Sequence, residues 1–202
     1  MTEGILVSAI ILSGGRGRRM SFKDKGLQIL GDKALIQHVI DSIKSEVTEI
    51  IISHNRNEKA YLQFGFPLVT DRDSDFLGPL AGILSARPKV KQALCFITPC
   101  DVPNLPTGLV TNMLSKIDEH DAVCLYSEGK PQALPLLVKT QAIDSINEYL
   151  SKGNRSVKQW LEGLDLYTLV IEAGILDNIN DLEHLKRAES DHLKTPTKKP
   201  SN

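Results

Sequence analysis

The chain has 202 residues, with 24 lysines and arginines against 25 aspartates and glutamates, for a net charge of −1. Such a balance excludes attraction to nucleic acid or to an anionic membrane by overall charge, so any anion must be held by a local cluster. With 41% hydrophobic and 24% charged residues the composition is that of a soluble domain with a real core. The length fits one domain over residues 1–188, and the polar stretch 189–202 is expected to be a disordered tail.

In chain order, residues 5–12 are apolar, β-branched and followed by glycine, the pattern of a short buried strand. Residues 13–27 form a loop dense in Gly, Arg and Lys. Residues 34–44 set Leu35, Val39, Ile40 and Ile43 on one helical face. A second buried strand is expected at 49–53, a short helix at 57–63 and a brief strand at 67–69, just ahead of Asp71. Pro79 opens a helix that runs to Ala86. A fourth strand at 93–98 leads into Pro99-Cys100-Asp101. Residues 106–117 read as a helix, and strands at 121–127 and 133–139 join through a turn at Glu128-Gly129-Lys130. Helices follow at 141–150 and 156–161, a strand at 167–171 and a last helix at 181–188. Alternating strands and helices predict an α/β fold, a Rossmann-like three-layer sandwich. Its sheet is mostly parallel with helices on both faces, and the hairpin step makes one late strand antiparallel.

No apolar run approaches the roughly 20 residues that span a bilayer, and the opening residues do not read as a secretory leader. Cys95, Cys100 and Cys124 form no CxxC pair. Cys95 and Cys124 lie in apolar runs and read as buried, reduced thiols, so a cytoplasmic location is expected. His38, His54, His120, His184 and His192 show neither HExxH nor zinc spacing. No GxSxG elbow is present, which leaves a serine hydrolase unsupported. Trp160 shares helical spacing with Val157 and Leu161 and reads as core.

The segment Leu12-Ser13-Gly14-Gly15-Arg16-Gly17-Arg18-Arg19-Met20 leaves the first strand at the edge where open α/β folds bind ligands. Gly14 and Gly15 allow close backbone approach, and their amides can face phosphate oxygens. Arg16, Arg18, Arg19, Lys23 and Lys25 are five cations within ten residues. That crowding is unfavourable unless they are solvated or share an anion, and a triphosphate is such an anion. The spacing fits neither GxxxxGK[ST] nor GxGxxG. An ordinary turn with a solvated basic face is the alternative.

Asp101 follows the fourth strand between Pro99 and Pro103, which stiffen its backbone. A carboxylate there can reach the crevice that the first loop borders, and magnesium needs few carboxylates when substrate phosphates and water complete its shell. A helix cap or turn is the competing role. Asp71 follows a strand and suits a metal, a base or a ribose. Asp73 and Asp75 extend it into an acidic loop. In Gly78-Pro79-Leu80-Ala81-Gly82 the small residues permit approach to a flat ring, or simply tight packing at a helix start. Asn178 and Asn180 flank Ile179 ahead of Asp181 and could face a site or cap the last helix.

The first loop, extended through Asp24-Lys25-Gly26-Leu27, stands with Gly78-Pro79-Leu80-Ala81-Gly82 and Pro99-Cys100-Asp101-Val102-Pro103 in an order that resembles the molybdenum cofactor guanylyltransferase family of the nucleotidyltransferase superfamily. Asn55-Arg56, Asp71 and Asn178-Ile179-Asn180 extend the resemblance, which spans residues 5–187. It implies transfer of GMP from GTP to molybdopterin, with Mg2+ as cofactor. Leu12, Ser13, Gly14, Gly15, Lys25, Asn55, Asp71, Gly78, Pro79, Leu80, Gly82 and Asp101 would bind GTP. Arg19, Lys25 and Asp101 would be catalytic, with Asp101 on the metal. Pro131, Pro135, Arg155, Ser156, Asn178 and Asn180 would meet the molybdopterin. Other cofactor-biosynthesis proteins and recipient molybdoenzymes are the further partners it implies. The chain departs from the family pattern in three places. Ser13 replaces a frequent alanine, and Ser53 stands where some relatives carry asparagine, with Asn55 two residues on. Asn178 and Asn180 occupy the region where the superfamily often has a second metal aspartate, so a single carboxylate on magnesium is expected. A relative using CTP, or one acting on a sugar phosphate, is the alternative activity.

Overall fold

Val7–Leu12, the first strand (β1), is buried along its whole length. Every one of its side chains meets packed protein because the strand lies mid-sheet with helices on both faces. In the computed structural model, which describes residues 6–14, 24–70, 78–172, 176, 178, 179, 183–185 and 187, β1 pairs in parallel with β4 (Glu49–His54) on one side and β6 (Leu94–Pro99) on the other. Between them in sequence come the two-residue strands β2 (Ile29–Leu30) and β3 (Lys33–Ala34), which make a separate hairpin. Gly31 turns that hairpin at φ 64°, in the left-handed region that a tight two-residue connection needs. The remaining strands are β5 (Leu68–Thr70), β7 (Ala122–Ser127), β8 (Lys130–Lys139) and β9 (Leu166–Val170).

The seven-stranded sheet has the order β5-β4-β1-β6-β8-β7-β9. Only β8 runs against the others, pairing antiparallel with both β6 and β7, as the hairpin at residues 127–133 predicts. Alternate residues divide the core into two layers. Ala9, Ile11 and Phe96 pack with α1 (Leu35–Ile43) and α4 (Leu109–Leu114). Ile10, Leu12 and Ile97 pack with α3 (Pro79–Ala86), α6 (Ser145–Ser151) and α7 (Val157–Leu161). Two further short helices are α2 (Glu58–Tyr61) and α5 (Thr140–Ile143). Each fully buried aliphatic side chain contributes roughly 1.5–3 kcal/mol. Trp160, at 3% exposure, lies in the second layer as its helical spacing predicts.

Some boundaries move. The helix expected at 106–117 spans only Leu109–Leu114, because Gly108 precedes it in the left-handed conformation at φ 80°. Glu46 then caps it from a distance, accepting from Gly108 N at 3.0 Å and Thr111 N at 2.9 Å. The helix expected at 141–150 is two helices that meet at Asp144, whose carboxylate takes an ion pair from Arg87 at 2.9 Å. The last helix is described only at residues 183–185 and 187, and the expected tail lies outside the described residues. Among the described residues no helix is long and apolar enough to cross a membrane.

Candidate active site at the carboxyl edge of β1, β4 and β6

Chain connection runs outward from β1 in one direction to β4 and β5, then returns to the other side at β6. The switch lies between β1 and β6, and ligands of open α/β sheets bind outside the strand ends at such a point. The two strands end level with each other, Leu12 opposite Pro99, and Cys100 N donates to Leu12 O at 3.1 Å. On the other flank Leu12 stands opposite Ser53, and Ser13 N donates to Ser53 O at 2.7 Å. Ser13, Asn55 and Asp101 are therefore carried to one edge by three neighbouring strands.

Gly14 faces Asn55 at close range. A Cβ on Gly14 would stand 3.0 Å from Asn55 Nδ2. Asn55 thus lies against the first loop while Ser53 spends its carbonyl on the strand ladder, so the asparagine two positions on is the side chain brought to the loop.

The chain is described again from Asp24. Lys25 Nζ reaches Asp101 Oδ2 at 2.6 Å, with side-chain exposures of 27% and 12%. The other carboxylate oxygen, Asp101 Oδ1, is buried with no hydrogen-bond partner among the described residues. A buried carboxylate oxygen without a donor is costly and marks a place for a ligand. Gly26 covers the ends of β1 and β6: a Cβ there would meet Tyr61 Oη at 2.7 Å, Cys100 Sγ at 3.3 Å and Ser13 Oγ at 3.4 Å. Cys100 itself is 4% exposed, and burial, with Asp101 alongside, pushes its thiol up to about 12. It is an inert packing residue beside the carboxylate.

The other predicted positions fall around this centre. Gly78 precedes α3 with φ 85°, a conformation that favours glycine. Gly78 and Pro79 are exposed, whereas Leu80 and Gly82 are buried in α3. A Cβ on Gly78 would lie 3.9 Å from Arg155 O, so the residues expected at the base and those expected at the pterin adjoin. Arg155 folds its guanidinium back onto the carbonyls of Leu150 and Asn154, at 2.9 and 2.6 Å. Ser156 caps α7, its Oγ accepting from Gln159 N at 3.3 Å. Pro131 is exposed near the start of β8 while Pro135 is buried, so of the two only Pro131 offers surface to a ligand. Ile179 N donates to Asp101 O at 2.9 Å, which draws exposed Asn178 towards Asp101. Gly15, Arg16, Arg18, Arg19, Lys23, Asp71, Asp73, Asp75 and Asn180 lie outside the described residues.

Sequence reading missed the support beneath Lys25. Asp24, 7% exposed, accepts from Tyr61 Oη at 2.6 Å and from Asn57 Nδ2 at 3.0 Å. The available signal was weak: an aspartate inside a basic loop and a tyrosine in an otherwise polar short helix.

Comparison with known proteins agrees with this fold. The model of the MobA-like NTP transferase domain matches residues 9–167. A molybdenum cofactor guanylyltransferase of Haemophilus influenzae (strain 86-028NP) is 37% identical over 188 residues, covering 91% of this chain and 97% of the relative. One of Shewanella baltica (strain OS155 / ATCC BAA-1091) is 43% identical over 156 residues, covering 76% and 80%. The crystal structure of molybdopterin-guanine dinucleotide biosynthesis protein A from Archaeoglobus fulgidus superposes with a TM-score of 0.75 at 21% identity, covering 93% of this chain and all of that one, which supports the fold. With its family domain, its relatives and its sheet in agreement, the chain belongs to the MobA-like NTP transferases and, among them, to the molybdenum cofactor guanylyltransferase family.

Proposed function

We infer that this chain transfers GMP from GTP to the phosphate of molybdopterin, forming molybdopterin guanine dinucleotide and pyrophosphate. The supporting observation is the meeting of Lys25 and Asp101 at the switch point between β1 and β6, in a chain 37% identical to a molybdenum cofactor guanylyltransferase over nearly that relative's whole length. An oxygen of the molybdopterin phosphate attacks the α-phosphorus of GTP in line, a new P–O bond forms, and the bond to pyrophosphate breaks. The attacking phosphate is already ionised near neutrality, so no general base is required. What remains for the protein is alignment of two polyanions and neutralisation of charge.

The residues divide this work. Leu12, Ser13 and Gly14 present backbone to the nucleotide, with Asn55 behind Gly14. Gly78, Pro79, Leu80 and Gly82 border the base. Lys25 places an ammonium among the phosphates and stabilises charge that grows in the transition state. Arg19 and Gly15 add to that cradle, and Asp71 holds the nucleoside. Pro131, Arg155, Ser156, Asn178 and Asn180 face the pterin partner, with Pro135 buried further along β8.

Nucleotidyltransferases typically use a divalent metal, and magnesium is the proposed ion here. Magnesium can be held by a single protein carboxylate when water and substrate phosphates complete its shell. Asp101 fits that role, since its Oδ1 is buried and has no hydrogen-bond partner among the described residues. Asp101 would hold the magnesium, whose positive charge would offset the negative charge of the phosphates.

Pyrophosphate release measured with GTP, CTP, ATP and UTP, each with and without molybdopterin, tests the reading. Release with GTP that depends on molybdopterin is the expected result. Equal or faster turnover with CTP, or release that ignores the acceptor, would refute it.

A further inference from the structure

Asp24 holds a carboxylate that the reaction above does not use, one residue before the lysine that it does. At 7% exposure, such a charge is strongly unfavourable unless donors replace its water. The stretch after β4 supplies them: Tyr61 Oη at 2.6 Å, Asn57 Nδ2 at 3.0 Å and, more distantly, Arg56 Nε at 4.0 Å. Tyr61 is wholly buried. Burial, with Cys100 and Asp24 nearby, raises its hydroxyl far above neutrality, so it remains a donor at any working pH.

The same hydroxyl closes on the other side of Lys25. Gly26 has no Cβ where one would meet Tyr61 Oη at 2.7 Å. Tyr61 thus touches the residue before Lys25 and the residue after it. Backbone bonds tighten the segment: Gln28 Nε2 donates to Asp24 O at 2.8 Å, Gln28 N to Lys25 O at 3.1 Å and Ile36 N to Gly26 O at 3.0 Å. The ammonium of Lys25 then meets Asp101 at 2.6 Å.

We propose that the buried Tyr61–Asp24 pair is a positioning device for Lys25, fixing the backbone from which the ammonium reaches Asp101 and, during transfer, the phosphates of the nucleotide. The assignment rests on Lys25 being the phosphate-side cation of the proposed reaction. Tyr61 and Asp24 touch no substrate and act only through the lysine. A buried hydrogen bond that served folding alone would alter melting temperature and leave turnover per folded molecule unchanged.

The test is a double-mutant cycle of Tyr61→Phe, Lys25→Ala and the two combined, with Asp24→Asn as a second perturbation should Tyr61→Phe not fold. Each folded protein is assayed for molybdopterin-dependent pyrophosphate release and titrated calorimetrically with Mg-GTP. Tyr61→Phe is expected to lower kcat roughly tenfold, as loss of one hydrogen bond to a charged group does, and to change nothing further once Lys25 is alanine. A tenfold fall in both backgrounds, or an unchanged kcat in Tyr61→Phe, overturns the positioning role while leaving the proposed reaction standing. Wild-type turnover in Lys25→Ala alone would instead remove the lysine from the reaction and the positioning role with it. If wild type itself fails to turn over, the reaction is wrong, and the cycle is read from Mg-GTP affinity with the same criterion of non-additivity.

Discussion

Lys25 Nζ lies 2.6 Å from Asp101 Oδ2 across a sequence separation of 76 residues, joining the end of the basic loop to the end of β6. The pair is partly buried, so each charge is stabilised by the other while no nucleotide is present. Substrate offers both a better partner: phosphate oxygens for the ammonium and a cation for the carboxylate. Lys25→Ala and Asp101→Ala are each expected to lower turnover by roughly two or more orders of magnitude, the usual cost of removing one preorganised electrostatic group. Their effects on the free protein should be opposite in sign. Lys25→Ala leaves Asp101 unpaired and should strengthen Mn2+ binding in the absence of nucleotide a few-fold, since such pairs contribute roughly 1 kcal/mol or less. Asp101→Ala should weaken it. Steady-state kinetics with Mn2+ titrations followed by electron paramagnetic resonance would check both, and near-wild-type turnover in the two variants would end the assignment.

Gly14 makes a second prediction, about binding rather than chemistry. A Cβ there would come within 3.0 Å of Asn55 Nδ2, closer than ordinary contact. Asn55 must shift, and the backbone that faces the nucleotide loses its close approach. Gly14→Ala should raise the KM for GTP roughly tenfold, equivalent to about 1.4 kcal/mol of lost binding, with a smaller effect on kcat. An unchanged KM would show that the nucleotide does not lie over Gly14.

How far the sequence revealed this site depended on whether the signal was local. β1 was legible because it is a short, mostly apolar and β-branched run that ends at glycines, and α3 because Pro79 marks its first turn. The β2–β3 hairpin was not legible, since strands of two residues are too short to show a period. β8 begins at Lys130, three residues before its expected start at 133, even though Pro131 lacks an amide. That is tolerated because β8 pairs with β6 only from Leu136 onward, leaving Pro131 with β7 alone. Asp101 could be assigned to the crevice from its place after a strand. The Asp24–Tyr61 contact could not, because nothing near either residue announces a partner 37 positions away.

The cysteines give a chemical prediction. Cys95, Cys100 and Cys124 are at most 4% exposed. Burial is the largest influence on each, raising Cys95 strongly, Cys100 to about 12 and Cys124 to about 11. Since the thiolate is the reactive form, these upward shifts leave the three thiols protonated and unreactive near pH 8. A thiol-exchange reagent should therefore modify none of the three within minutes in the folded protein and all three in concentrated guanidinium. Rapid labelling of one thiol in the native protein would show that the chain around it opens more readily than its packing implies.

Asp41 supplies the pH dependence. Burial alone would raise its carboxyl, but donation from Lys33 at 2.8 Å, Lys44 at 2.8 Å and Gln37 at 3.2 Å outweighs it and holds the group at about 2, against 3.8 unperturbed. A depressed folded-state value means that the ionised carboxylate stabilises the fold above the unfolded value and that this contribution disappears as pH falls through about 2. The carboxylate is 28% exposed and both lysines more so, which limits the contribution to about 1 kcal/mol. Asp41→Asn should therefore be less stable than wild type by that amount at pH 7, and the gap should shrink between about pH 4 and pH 2. Urea titrations of both proteins across that range would show it. A gap that stays constant down to pH 2 would mean that the three donors do not hold the ionised form in solution.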